Sequence, residues 1–170
     1  MRLYSSKVAA IAADIVRKLI TEGDIETDSP KEVERDVEGV LNEYLRLDHE
    51  VDAKTRELMD GRKLPPTDYG RVKKSVAEQK GHKTGDDTID FLLDQIVEAF
   101  MFSASVEEVF ADDVTLRRKM TPVLRMHMDV DDELDREARG RLKHLQEGTE
   151  AFQIEYAKTI ELLKRSKGIQ

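Results

Sequence analysis

Apolar residues recur along this chain in two near-copies of one pattern. Val8, Ile11, Ala12, Ile15, Val16 and Leu19 form the stripe of an amphipathic helix over about residues 5–22, and Gly23 offers the left-handed residue that ends it. Ile25, in the turn that follows, is expected to tuck back onto that stripe. Ser29-Pro30-Lys31-Glu32 then opens a second helix, with Ser at the cap, Pro at the first helical position and Glu placed to complete a capping box. Val33, Val37, Val40, Tyr44, Leu47, Val51, Thr55 and Leu58 continue it to about residue 60 in steps of four and three, the seam of a coiled-coil-like packing.

The same signals return after Pro65-Pro66, Gly70, Gly81 and Gly85, which leave residues 62–85 irregular or only partly helical. Asp86-Asp87-Thr88 caps a third helix striped by Ile89, Leu92, Leu93, Ile96, Val97 and Phe100. A turn at Ser103-Ala104-Ser105-Val106 and a cap at Asp112-Asp113 lead into a fourth, with Leu116, Met120, Val123, His127, Val130 and Leu134 on its seam. An offset of 81 aligns the front halves, Ile15 with Ile96 and Ile25 with Val106; an offset of 83 aligns the rest, Val33 with Leu116 and Asp48-x-Glu50-Val51-Asp52 with Asp131-x-Glu133-Leu134-Asp135. This is the signature of a duplicated unit. Pro122 is discordant, because proline inside a helix removes a hydrogen bond; a kink there, or a restart at Thr121-Pro122, is expected. Leu142, Leu145, Thr149, Phe152, Tyr156 and Ile160 or Leu163 carry the rhythm to the C-terminus, with Gly148 as the weak point and the long helix of the other repeat as the natural packing partner.

The predicted fold is all-α: two tandem helix-turn-long-helix repeats, elongated, with coiled-coil-like packing of the long helices. Its parts are a first repeat over 1–61, a basic Pro/Gly-containing linker or partial helix over 62–85, a second repeat over 86–145 and a helical extension over 146–170.

Composition narrows the function classes. With 170 residues the chain can build a core without disulfides or metal, and it has no cysteine, which removes thiolate nucleophiles and cysteine zinc sites. Charged residues make up 38% and aromatics 5%, the mix of solvated helices; the regular apolar spacing argues against disorder. Asp14, Arg17 and Lys18 interrupt the early apolar run before it reaches signal-peptide length, and no run approaches the roughly 20 residues of a membrane span. A soluble, cytoplasmic protein without membrane contact is expected.

Met1-Arg2-Leu3-Tyr4-Ser5-Ser6-Lys7, the Glu22-Gly23-Asp24-Ile25-Glu26 turn, Val40-Leu41-x-x-Tyr44-Leu45, Arg71-Val72-Lys73-Lys74 through Lys80-Gly81 and the repeated Asp-x-Glu-hydrophobic-Asp resemble a bacterial family catalogued as domain of unknown function family 507. The resemblance covers essentially the whole chain. It implies an all-helical fold and a bacterial origin, and brings no activity, substrate or active-site residue with it.

No catalytic constellation emerges. Counted from Asp129, the acidic run through Asp135 places Leu134 and Gly140 where a calcium loop needs Gly and Glu. A di-iron bundle needs Glu three residues before His; the residues before His49, His82, His127 and His144 are Arg46, Gln79, Leu124 and Arg141. His49-Glu50 lacks the second histidine of a zinc-protease helix, since position 53 is alanine. His127, standing on the seam where the first repeat has Tyr44, has no carboxylate tied to it by spacing and reads as a packed, hydrogen-bonded or seam-edge residue rather than a ligand or base. No Gly-rich phosphate loop or nucleophile elbow is present. The reading is therefore of no enzyme, no cofactor and no metal site.

Charge is the more suggestive signal. Arg62, Lys63, Arg71, Lys73, Lys74, Lys80 and Lys83 face only Asp68 and Glu78 within residues 62–83, giving +5 in a chain of net charge -8 and leaving -13 elsewhere. The segment is a candidate contact for nucleic acid or an acidic partner, with Tyr69 available to stack on a base; it equally suits docking on the chain's own acidic helices, or a solvated linker. The Asp24 and Ser105 turns, read as exposed helix ends, resemble helix-turn-helix elements, but Glu32, Glu34, Asp36 and Glu38 on the second helix oppose major-groove insertion. The sequence thus predicts a non-enzymatic interaction or scaffold protein with a protein partner, RNA or a ribonucleoprotein as the alternative, and a divalent-metal enzyme as a remote third. Oligomeric state stays open.

Overall fold

The computed structural model describes residues 2–146 and 149–169, apart from the side chain of Asp131. Its helices are α1 (Val8–Thr21), α2 (Pro30–Gly61), α3 (Tyr69–Gln79), α4 (Thr88–Phe102), α5 (Asp113–Met128), α6 (Val130–Arg141) and α7 (Glu150–Ser166). Two short strands, β1 (Ile25–Glu26) and β2 (Glu108–Val109), pair antiparallel with Ile25 opposite Val109. The fold is all-α.

The main core lies where α1, α2, α4 and α5 surround one another: α2 touches α1 and α4, and α5 touches the same two from the other side. The stripes read from the sequence on α1 and α4 are all buried there. The seams of α2 and α5 are buried at Val33, Val37, Tyr44, Val51, Thr55, Leu116, Met120 and Val123, and slip by one residue at a few places. Leu41 is buried where Val40 was expected, Met59 where Leu58 was expected, and on α5 Leu124 and Met128 are buried while His127 is only half-buried. The buried positions on α2 advance by four more often than by three, because a helix with 3.6 residues per turn drifts away from a strict four-and-three seam.

The connections at the β1–β2 end are knit together rather than exposed. Asp24 is buried and receives Lys119 Nζ at 2.7 Å, and its carbonyl accepts the amides of Phe110 and Ala111. Thr27 Oγ1 donates to the Ser105 carbonyl at 2.5 Å, and the Ser103 hydroxyl donates to Asp36. The helix-turn-helix likeness of these turns is thereby removed, since Asp24 packs against the other connection.

Three local expectations need correction. Pro30 opens α2, but Ser29 makes no side-chain cap; its amide instead donates to Thr27 Oγ1 at 2.9 Å, and Glu32 turns to Arg35 at 2.8 Å. α5 runs through Pro122 without a restart at Thr121, because Pro122 is on the exposed face, where the carbonyl left without a donor can be hydrated. The interruption falls instead at Asp129, which closes α5 and opens α6.

The C-terminal helix α7 packs on α6 rather than on α2. Thr149 caps it, accepting the Phe152 amide at 3.2 Å; Gly148 lies outside the described residues. A separate small core of Tyr4, Leu134, Ala138, Leu163 and Ile169 holds this hairpin, while Leu3 next door belongs to the main core. The accessible surface of 10393 Å² exceeds the roughly 8,500 Å² of a compact monomer of this mass.

Candidate functional site

The second half of α2 carries Asp48, Glu50 and Asp52 on its way to the Pro65-Pro66 break, and the basic segment folds back onto it as α3. Val72, Val76 and Ala77 on α3 supply the apolar face, meeting Val51 and Met59 of α2. The charges then match across the contact. Lys73 Nζ lies 3.0 Å from Asp52 and 3.8 Å from Asp48, Lys80 Nζ lies 3.7 Å from Glu50, and Arg71 pairs with Asp68 on its own turn at 3.4 Å. Tyr69 gives its hydroxyl to Asp52 Oδ1 at 2.7 Å and packs half-buried on this small core, so it is not displayed for stacking on a base. Arg62, Lys63, Lys74 and Lys83 are exposed and make no ion pair among the described residues. The seven basic residues thus divide into a docked set and a free set, a division their sequence spacing does not reveal.

Gly81, in the left-handed conformation at φ +66°, ends α3 and lets the His82 amide reach the Ala77 carbonyl at 2.9 Å. That turn drives His82 beneath α2, where it is 1% exposed. Its Nε2 lies 3.2 Å from Asp48, its ring is tilted against that of Tyr44 with the centroids 4.6 Å apart, and its Nδ1 is buried without a partner. Tyr44 donates to the Lys83 carbonyl at 3.1 Å and receives the Thr88 hydroxyl at 3.1 Å. Burial first, with the nearby Asp48 charge adding, pushes the Tyr44 phenol up to about 12. Asp48 is held below the usual carboxylate range by the His82 hydrogen bond, then by the charges of Lys73, His82 and Arg2, against burial that pushes the other way.

Tyr44, Asp48, Asp52 and Arg56 follow one another at intervals of four along α2 and line a single cleft of about 420 Å³. Tyr69 and Lys73 of α3, Arg2 of the N-terminal segment and the Thr84–Thr88 turn close it. Tyr44 belongs to the apolar seam of α2, and the spacing of Asp48, Asp52 and Arg56 beside it does not by itself mark a cleft.

His127 does have a carboxylate partner. Its Nε2 lies 2.8 Å from Asp14 of α1, 113 residues away, a pairing that spacing within one helix cannot show. Among the described residues, no three His, Asp or Glu side chains gather as a metal site would require, and no helix is long and apolar enough to cross a membrane. In the repeated acidic motif Asp135 accepts the Tyr156 hydroxyl and binds Arg139, while the Asp131 side chain lies outside the described residues.

The other surface feature is apolar. Phe102 is 82% exposed and Met101 55% at the end of α4, Phe110 63% just after β2, and Val114 72% in the first turn of α5.

These features define an all-helical protein with a polar cleft on one helix pair and an exposed apolar tip. The family model described as "Protein of unknown function (DUF507)" matches residues 1–169, and the chain belongs to that family. No curated protein matches the chain significantly.

Proposed function

We propose that this protein acts without catalysis, as an interaction or scaffold protein that holds another protein. The observation that carries the reading is the apolar tip: Met101 and Phe102 at the end of α4, Phe110 after β2 and Val114 at the start of α5 stand in solvent, although α4 buries its own stripe completely. Large apolar side chains left exposed close together in the chain suit a contact surface, where a partner recovers the apolar area left in water. A cysteine-free chain suits a reducing cytoplasm as the place of action.

A tagged pull-down with and without nuclease, comparing the wild type with a Phe102→Ser/Phe110→Ser variant, tests this. The expected result is a nuclease-resistant protein companion that the variant loses. A companion retained equally by the variant counts against the tip.

The free set of cations favours a second reading, in which Arg62, Lys63, Lys74 and Lys83 meet RNA or a ribonucleoprotein. Here Lys74→Glu/Lys83→Glu weakens RNA binding and reduces its salt dependence, whereas Lys73, already bound to Asp48 and Asp52, supports the fold.

A further inference from the structure

Asp52 and Arg56 on α2 have the same spacing as Asp135 and Arg139 on α6. On α6 the pair satisfies itself: Arg139 Nε lies 3.0 Å from both oxygens of Asp135, and its guanidinium covers the rings of Tyr156 and Phe152 at 5.6 and 6.0 Å. On α2 the pair is broken open. Lys73 at 3.0 Å and the Tyr69 hydroxyl at 2.7 Å take the Asp52 carboxylate, and Arg56 makes no ion pair among the described residues, its guanidinium meeting the Tyr69 hydroxyl instead. Arg56 lines the cleft.

Arg2 stands on the same cleft. Its amide is anchored to the Met128 carbonyl at 3.3 Å, and Leu3 and Tyr4 beside it are buried in two different cores. The guanidinium lies 5.3 Å above the Tyr4 ring and makes no ion pair among the described residues. Asp48, the other acid of the cleft, is already engaged by His82 and Lys73. The charged side chains lining the cleft are thus Arg2, Arg56 and Lys73 against Asp48 and Asp52, a net +1, and the two guanidiniums, brought by separate elements, make no ion pair among the described residues.

We infer that this cleft is a phosphate site, with Arg2 and Arg56 as the binding guanidiniums and Lys73 as the ammonium between the two acids. Its volume of about 420 Å³ suits a small ligand. One guanidinium edge satisfies a planar carboxylate, whereas the oxygens of a tetrahedral phosphate can meet two guanidiniums arriving from different directions. Lys73 has a double part: it bridges Asp48 and Asp52, and it takes the Asp52 carboxylate that would otherwise face Arg56. The phosphate comes either from a small phosphate ester or from a nucleic-acid backbone. The inference is independent of the apolar tip, and either can fail while the other stands.

The test is an amide NMR titration of the full chain with inorganic phosphate, against sodium chloride at matched ionic strength, in the wild type, Arg56→Gln and Arg139→Gln. Phosphate-specific shifts are expected around Arg2, Arg56 and Thr84. Arg56→Gln should weaken binding about tenfold or more, the effect of losing one charge-assisted contact, and Arg139→Gln should leave it unchanged. Shifts no larger than those from chloride, or an Arg56→Gln protein with a native spectrum and wild-type affinity, overturn the inference. A labelled single-stranded RNA oligonucleotide separates the sources. If Arg56→Gln loses both ligands, the site takes a backbone phosphate; if it loses phosphate alone, the site takes a small ester.

Discussion

Asp48 shows how one side chain ties three elements together. It sits on α2, is bonded by His82 from the turn after α3, and shares Lys73 with Asp52. Because its folded-state pKa is lowered, chiefly by the His82 hydrogen bond, the unfolded chain takes up its proton more readily than the native one. The stability it contributes is present above the ordinary aspartate value of 3.8 and is lost as pH falls through the lower folded value. Asp48→Asn should therefore flatten the acid side of the stability profile in urea unfolding between about pH 5 and pH 2, relative to the wild type. An unchanged slope would mean that Asp48 is not held below its usual range. None of this is legible at Asp48 in the sequence, where the nearest histidine, His49, points elsewhere and the true partner is 34 residues away. The same holds for His127, whose carboxylate belongs to another helix.

At the scale of elements, local pattern carries much further. The apolar stripes of α1 and α4 are all buried as their spacing predicts, because helical periodicity alone decides which face is apolar. The long helices show the limit of that reasoning. Val40 and Leu41 are adjacent and equally apolar, so only the drift of the helix against its neighbours decides between them. Leu41→Ala should cost about 2–5 kcal/mol of unfolding free energy, and Val40→Ala distinctly less, measured as urea midpoints at constant slope. The reverse order would return the packing to the four-and-three seam. The tail is similar: its helicity is written in its spacing, but its partner is not. α7 lies on α6, and α3 lies on α2, and in each pair a tyrosine hydroxyl from the added helix donates to an aspartate on the other, Tyr156 to Asp135 and Tyr69 to Asp52.

The molecule as a whole is divided among a main core and two smaller ones, at α2–α3 and α6–α7. Few buried apolar contacts hold the α6–α7 hairpin, and Tyr4 is the residue through which the N-terminal segment enters its core. Local opening should follow that division. Amides of α6 and α7 are expected to exchange with solvent faster than those of α1 and α4, and Tyr4→Ala should speed exchange in the hairpin while leaving the bundle protected. Uniform protection across the described helices would show one cooperative unit instead.

What the sequence determined by itself is the helical character of the chain, the order of its helices and the faces that several of them bury. Those follow from residue spacing within one element, where the backbone geometry is the same for any protein. The tertiary structure alone decided which helices became neighbours, and with that the one-residue slip of the seams, the division of the basic segment into docked and free cations, and the meeting of Arg2, Arg56 and Lys73 at one cleft. Hydrogen bonds and ion pairs act over a few ångströms, so partners distant in the chain are settled only once the helices have packed.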